Sequence, residues 1–117
     1  MKSISAVFKT SAGIFADRIG GALFLTDANI FFDIHPIYGK PMIAAWAPEK
    51  AMIDAATWSA PLEQVSSCSF KTGAIMCWLE IQLKDGTVSY FDLGNKWNFS
   101  ERGQQFCAEV MNALRKL

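Results

Sequence analysis

The stretch that most constrains this chain runs from residue 78 to 117. In WLEIQLKDGTVSYFDL, Leu79, Ile81 and Leu83 alternate with Glu80, Gln82 and Lys84. Strict alternation marks a strand with one face in a core and the other in water. Asp85-Gly86 supplies a hairpin turn, because glycine takes positive φ without a Cβ clash. The return arm leads into an amphipathic helix whose apolar stripe is Phe99, Phe106, Val110, Ala113, Leu114 and Leu117. The spacing predicts Asn98 as its cap, with Glu101 reaching back in a capping box. Arg115 and Lys116 suit the negative end of the helix dipole. Gly103 costs about 1 kcal/mol against Ala in a helix, so its place in the second turn predicts close packing on a sheet.

Composition narrows the function classes. Eleven Lys and Arg balance eleven Asp and Glu, and they are scattered singly. That excludes a nucleic-acid module, which needs a basic stripe. A hydrophobic content of 51% excludes a disordered chain. Four Trp, nine Phe and five Met exceed what a small barrel readily encloses, so part of this payload is expected to face a partner. Cys68, Cys77 and Cys107 have no close pair, and MKSISAVFKT lacks a secretory apolar run. Free thiols in a reducing, cytoplasmic compartment are therefore expected. No run of 18 apolar residues predicts a transmembrane helix.

Along the chain, Ile4, Ala6 and Phe8 alternate, a pattern open to a strand, a short helix or an arm. Residues 12–18 read as a strand, broken by Gly20-Gly21. A second hairpin follows: Leu23 and Leu25 share one face, Thr26-Asp27-Ala28-Asn29 turns, and Ile30, Phe32 and Ile34 share a face on the return. LTDANIFFDI echoes LKDGTVSYFDL, but two imperfect copies do not make a repeat protein. Residues 35–59 break the pattern. His35-Pro36 ends a strand, residues 43–46 suit a short strand, and residues 48–56 suit two helical turns. From Trp58 the strands resume, with Val65, Ser67 and Ser69 in alternation. Strands followed by one helix, without βαβ alternation, predict a mainly β domain spanning residues 1–117. Its sheet would be an antiparallel barrel or sandwich of about seven strands capped by the helix.

Several residues carry a resemblance. G-x-L-x-L-T-D from Gly21, the I-x-F that ends at Phe32, P-L-x-x-V-x-S from Pro61 and L-E-I-x-L-x-D-G from Leu79, then the helix, resemble the GRAM and bacterial pleckstrin-homology-like superfamily. The resemblance implies a seven-stranded, partly open barrel plugged at one end by the last helix. It also implies a binding role, toward lipid headgroups, protein segments or copies of itself, and seldom catalysis. Headgroup-binding members carry basic residues around the first inter-strand loop. The corresponding anion or lipid contacts here would be Arg18, with Lys9 and Lys71.

The residues themselves offer no catalytic, metal or cofactor signature. His35 is the one histidine and has no sequence neighbours suited to a metal site or triad. Cys77 reads as a buried thiol, and Glu63, Glu80 and Asp92 as solvated strand carboxylates. Gly20-Gly21 is not followed by Lys-Ser/Thr, so it is no phosphate loop. The expected function is non-enzymatic, protein interaction or self-assembly as a homodimer, through a surface drawn from Trp46, Trp58, Ile75, Met76 and Trp78. Peripheral lipid binding stands second, and a small-ligand barrel or enzyme third.

Overall fold

A computed structural model describes residues 2–9, 18–33 and 56–117. The described residues form seven antiparallel strands and one long helix. In chain order these are β1 (Lys2–Lys9), β2 (Arg18–Leu25), β3 (Asn29–Asp33), β4 (Trp58–Pro61), a 3₁₀ turn (Leu62–Gln64), β5 (Val65–Thr72), β6 (Met76–Leu83), β7 (Val88–Asn95) and α1 (Lys96–Arg115). The sheet order is β4-β3-β2-β1-β7-β6-β5, so the first and last strands meet at its centre. The sheet curls into a half-barrel, and α1 caps it. Residues 10–17 and 34–55 lie outside the described residues. With them lie Trp46, His35, most of the strand expected over 12–18 and most of the excursion expected over 35–59.

The ambiguous N-terminal stretch is a strand. Ile4 and Ala6 are buried and Phe8 is half-buried, as its alternation allows. β1 pairs with β2 along its whole length, but with β7 only from Val7 to Lys9. Where β1 parts from β7, α1 lies alongside, and Lys2 Nζ meets Glu109 Oε1 at 3.5 Å. A cluster of rings sits within the aliphatic core: the Phe91 ring lies 5.2 Å from Phe8, 5.8 Å from Phe32 and 5.2 Å from Trp58, the last edge-on.

The helix begins three residues earlier than its sequence suggests. Asn95, not Asn98, is the cap: its backbone is extended and its side chain accepts the Asn98 N–H at 2.8 Å. Helical backbone already starts at Lys96, which places Asn98 inside the first turn as the donor of that bond. Gly103, Phe106 and Val110 are buried, and a Cβ on Gly103 would come within 2.5 Å of Leu93 and 2.7 Å of Phe70. Gly103 thus lets the helix settle onto the sheet. Leu117 does not continue the stripe. It lies beyond the helix end and is 66% exposed.

The alternation expected at Val65, Ser67 and Ser69 is also corrected. A bulge between Val65 and Ser67 shifts the phase, so Val65 and then Cys68 face inward, with Phe70 packed against the core. One extra residue in a strand reverses the facing of all that follow. The outer edge of β5 then meets the helix through sulphur. The Cys68 N–H donates to Met111 Sδ at 3.4 Å, and Cys107 Sγ donates to the Cys68 carbonyl at 3.1 Å. Four residues apart, Cys107 and Met111 share one helical face.

The chain turns from β4 to β5 at a tied corner. Leu62 N donates to Ala28 O and Lys84 N to Gln64 O, each at 2.8 Å. The 3₁₀ turn therefore holds the turns of both hairpins, β2–β3 and β6–β7.

Candidate functional site

The β5–β6 tip and the start of α1 form one exposed apolar corner. Gly73 N donates to Met76 O at 2.8 Å, closing a tight turn with Ala74 and Ile75 at its crest. β7 runs beside β6, and Met76 is the register partner of Asn95, the helix cap. The tip thus lies against the first helical turn. There Lys96 N donates to Ile75 O at 2.8 Å, so a tip carbonyl satisfies one of the N–H groups that every helix start leaves unpaired.

Local periodicity explains what each side chain does. Cys77 points inward and is fully buried, so Met76 before it points out. Trp97 is the second residue of the helix, turned away from the face that buries Gly103, Phe106 and Val110. Ile75 is 58% exposed, Met76 42% and Trp97 70%. Lys96 Nζ lies 5.6 Å from the Trp97 ring and 3.4 Å from Gly73 O, bracing the ring beside the tip. Exposed Lys71 stands on β5 opposite Trp78, and the first helical turn carries no acid. Lys71 and Lys96 thus place two cations on the rim, with the Glu80 carboxylate held at Trp78 beside them.

The expected interaction residues separate. Ile75 and Met76 form the corner. Trp78 stands half-buried next to it, its Nε1 donating to Glu80 Oε1 at 3.1 Å. Trp58 belongs with the core, packed on Phe91. Trp97, absent from the expected surface, is the most exposed of the large apolar side chains among the described residues. Its position opposite the helix stripe was the available signal, masked by its closeness to the helix start.

Two of the expected anion contacts are neighbours in the sheet and the third stands apart. Lys9 and Arg18 are register partners on β1 and β2, whereas Lys71 is on β5, with β7 and β6 between. Lys9 Nζ pairs with Asp92 Oδ2 at 3.8 Å, and both side chains are only 15% exposed. Burial pushes the Cys77 thiol up, which suits an unreactive core cysteine. Among the described residues, no three His, Cys, Asp or Glu side chains gather as a metal ion requires, and no helix is long and apolar enough to cross a membrane.

Two grooves flank the Lys2–Glu109 ion pair, of about 590 and 620 Å³. They are shallow and bordered by charges of both signs, Lys2, Arg102, Lys116, Asp27 and Glu109. Neither presents the enclosed apolar wall that a small ligand needs. In comparisons with known proteins, the chain matches no family model, and no curated protein matches it.

Proposed function

We propose that this chain is a non-enzymatic binding module that docks a protein, most simply a second copy of itself, through the corner built by Ile75, Met76 and Trp97. The observation that carries the reading is the joint exposure of these three side chains on a braced turn and helix start. Trp and Met are enriched where proteins meet, and a tryptophan held in place loses little entropy on docking. Three side chains offer a few hundred Å², against about 800 Å² per partner in a stable complex. The association is therefore weak and reversible, in the micromolar range or above. Light scattering on purified protein over a tenfold concentration series tests it. A mass rising toward the dimer, and returning to monomer for Trp97→Ala, is expected. A monomer mass at every concentration removes self-association.

A second reading has its own support. Lys71 and Lys96 beside an exposed Trp and two aliphatic side chains match the composition of a membrane-interface anchor. Two cations contribute about 2 kcal/mol of attraction to an anionic surface. Salt-sensitive pelleting with anionic vesicles, lost in Trp97→Ala and in Lys96→Glu, would favour this reading over the dimer.

A further inference from the structure

We infer that Cys68 and Cys107 form an oxidisable thiol pair, a modification site at which peroxide converts the seam between β5 and α1 from a hydrogen-bonded contact into a covalent one. The two residues are 39 apart in sequence, yet the Cys107 thiol reaches the Cys68 carbonyl at 3.1 Å. The two side chains are close enough for each thiol to shift the acidity of the other. Cys68 is 5% exposed, whereas Cys107 is half-buried and open to a small oxidant. That is the division of labour a sensing pair requires: one accessible sulphur to react, one sheltered sulphur to resolve it.

The chemistry of the two sulphurs differs in the same sense. The Cys68 thiol lowers that of Cys107 from 9.0 to about 7, helped by the Phe70 N–H, although burial works the other way. The neighbouring Cys107, and then burial, pushes the Cys68 thiol up. Cys107 is therefore the more acidic of the two and the readier nucleophile, because the thiolate is the reactive form.

The reaction balances with hydrogen peroxide as oxidant. The Cys107 thiolate attacks one peroxide oxygen, the O–O bond breaks, hydroxide leaves, and Cys107 becomes a sulfenic acid. The Cys68 sulphur then attacks the Cys107 sulphur and displaces the sulfenic oxygen as hydroxide, which takes the Cys68 proton and leaves as water. Two thiols and one peroxide yield one disulfide and two waters, and the two electrons the thiols lose reduce the peroxide. A dithiol reductant reverses the bond by thiol–disulfide exchange. Once closed, the bond removes the proton that Cys107 donates to the Cys68 carbonyl and fixes α1 to β5.

Intact-mass and non-reducing peptide analysis of the full chain under micromolar hydrogen peroxide tests this. The expected product is about 2 Da lighter, bridged Cys68 to Cys107, restored by dithiothreitol, with Cys77 still a thiol. Cys107→Ser should slow oxidation by about tenfold or more. Cys68→Ser should stop the reaction at a Cys107 sulfenic acid that dimedone traps. A bridge to Cys77, a bridge between chains, direct passage of Cys107 to sulfinic acid, or Cys107 reacting no faster than Cys77 would each overturn the assignment. If Cys68→Ser does not fold, the wild-type mapping and Cys107→Ser still decide.

Discussion

The β2–β3 and β6–β7 hairpins follow one sequence outline, LTDANIFFDI against LKDGTVSYFDL, and are held in different places. β6–β7 buries one face: Leu79, Ile81, Phe91 and Leu93 enter the core, while Glu80, Gln82, Tyr90 and Asp92 line the other side. β2–β3 buries both. Leu23, Leu25, Ile30 and Phe32 join the main core, and Ala22, Phe24 and Phe31 form a second cluster with the two rings stacked at 5.3 Å. The turns differ as well. In β2–β3 the Thr26 hydroxyl accepts the N–H groups of Ala28 at 3.3 Å and Asn29 at 3.0 Å. In β6–β7 the backbone turns on Gly86 at φ 92°, with Gly86 N bonded to Leu83 O and Leu83 N to Thr87 O. A similar string of residues thus reaches similar strands by different means: a hydroxyl and two packed faces, or a glycine and one.

Substitutions separate these means. The largest effect falls on the second buried face. Phe31→Ala should destabilise by about 3–5 kcal/mol, against about 1 kcal/mol or less for Tyr90→Ala on the outer side of β7. Urea midpoints of the two variants measure the contrast, and equal midpoints would mean that the second cluster adds nothing. Next comes the glycine. Gly86→Ala forces a Cβ into the left-handed region and should cost about 1–2 kcal/mol. The hydroxyl follows: Thr26→Ala frees two turn N–H groups and should cost about 1 kcal/mol, with Thr26→Ser retaining most of the stability.

The smallest effect is a pH dependence of the second turn. The Thr87 side chain, with the Thr87 N–H at 2.8 Å, holds the Asp85 carboxyl below its ordinary 3.8. A lowered native value contributes stability above the unfolded value and loses it as pH falls through the lowered one. Thermal midpoints of wild type and Asp85→Asn should therefore converge on acidification from about pH 6 to about pH 2. A gap that is constant with pH would place the contribution elsewhere.

Alternation at Leu79 and Ile81, and the turn at Gly86, are visible in the sequence because each depends on neighbours within a few residues. The β5 bulge is not, since inserting one residue changes no composition, and Ser66, Ser67 and Ser69 give no phase of their own. As caps, Asn95 and Asn98 are chemically equal. Only backbone conformation, extended at Asn95, distinguishes them. At the corner, Ile75 and Met76 were visible as apolar residues outside the alternation. Trp97 was not, because the β6–β7 pairing, not local sequence, brings the Ile75 turn beside the helix start. The sulphur contacts of Cys68 span 39 and 43 residues and have no local trace.

Those sulphur contacts bear on how this sheet meets other chains. A free sheet edge invites strand addition, in which a peptide or a second sheet borrows unpaired N–H and C=O groups. At the middle of β5 those groups are already engaged by two helix side chains, so an incoming strand would first have to displace α1. The opposite edge, β4, is four residues long and ends in Pro61, which has no N–H to offer. Among the described residues, the middle of β5 and the Pro61 end of β4 are therefore poor sites for strand addition.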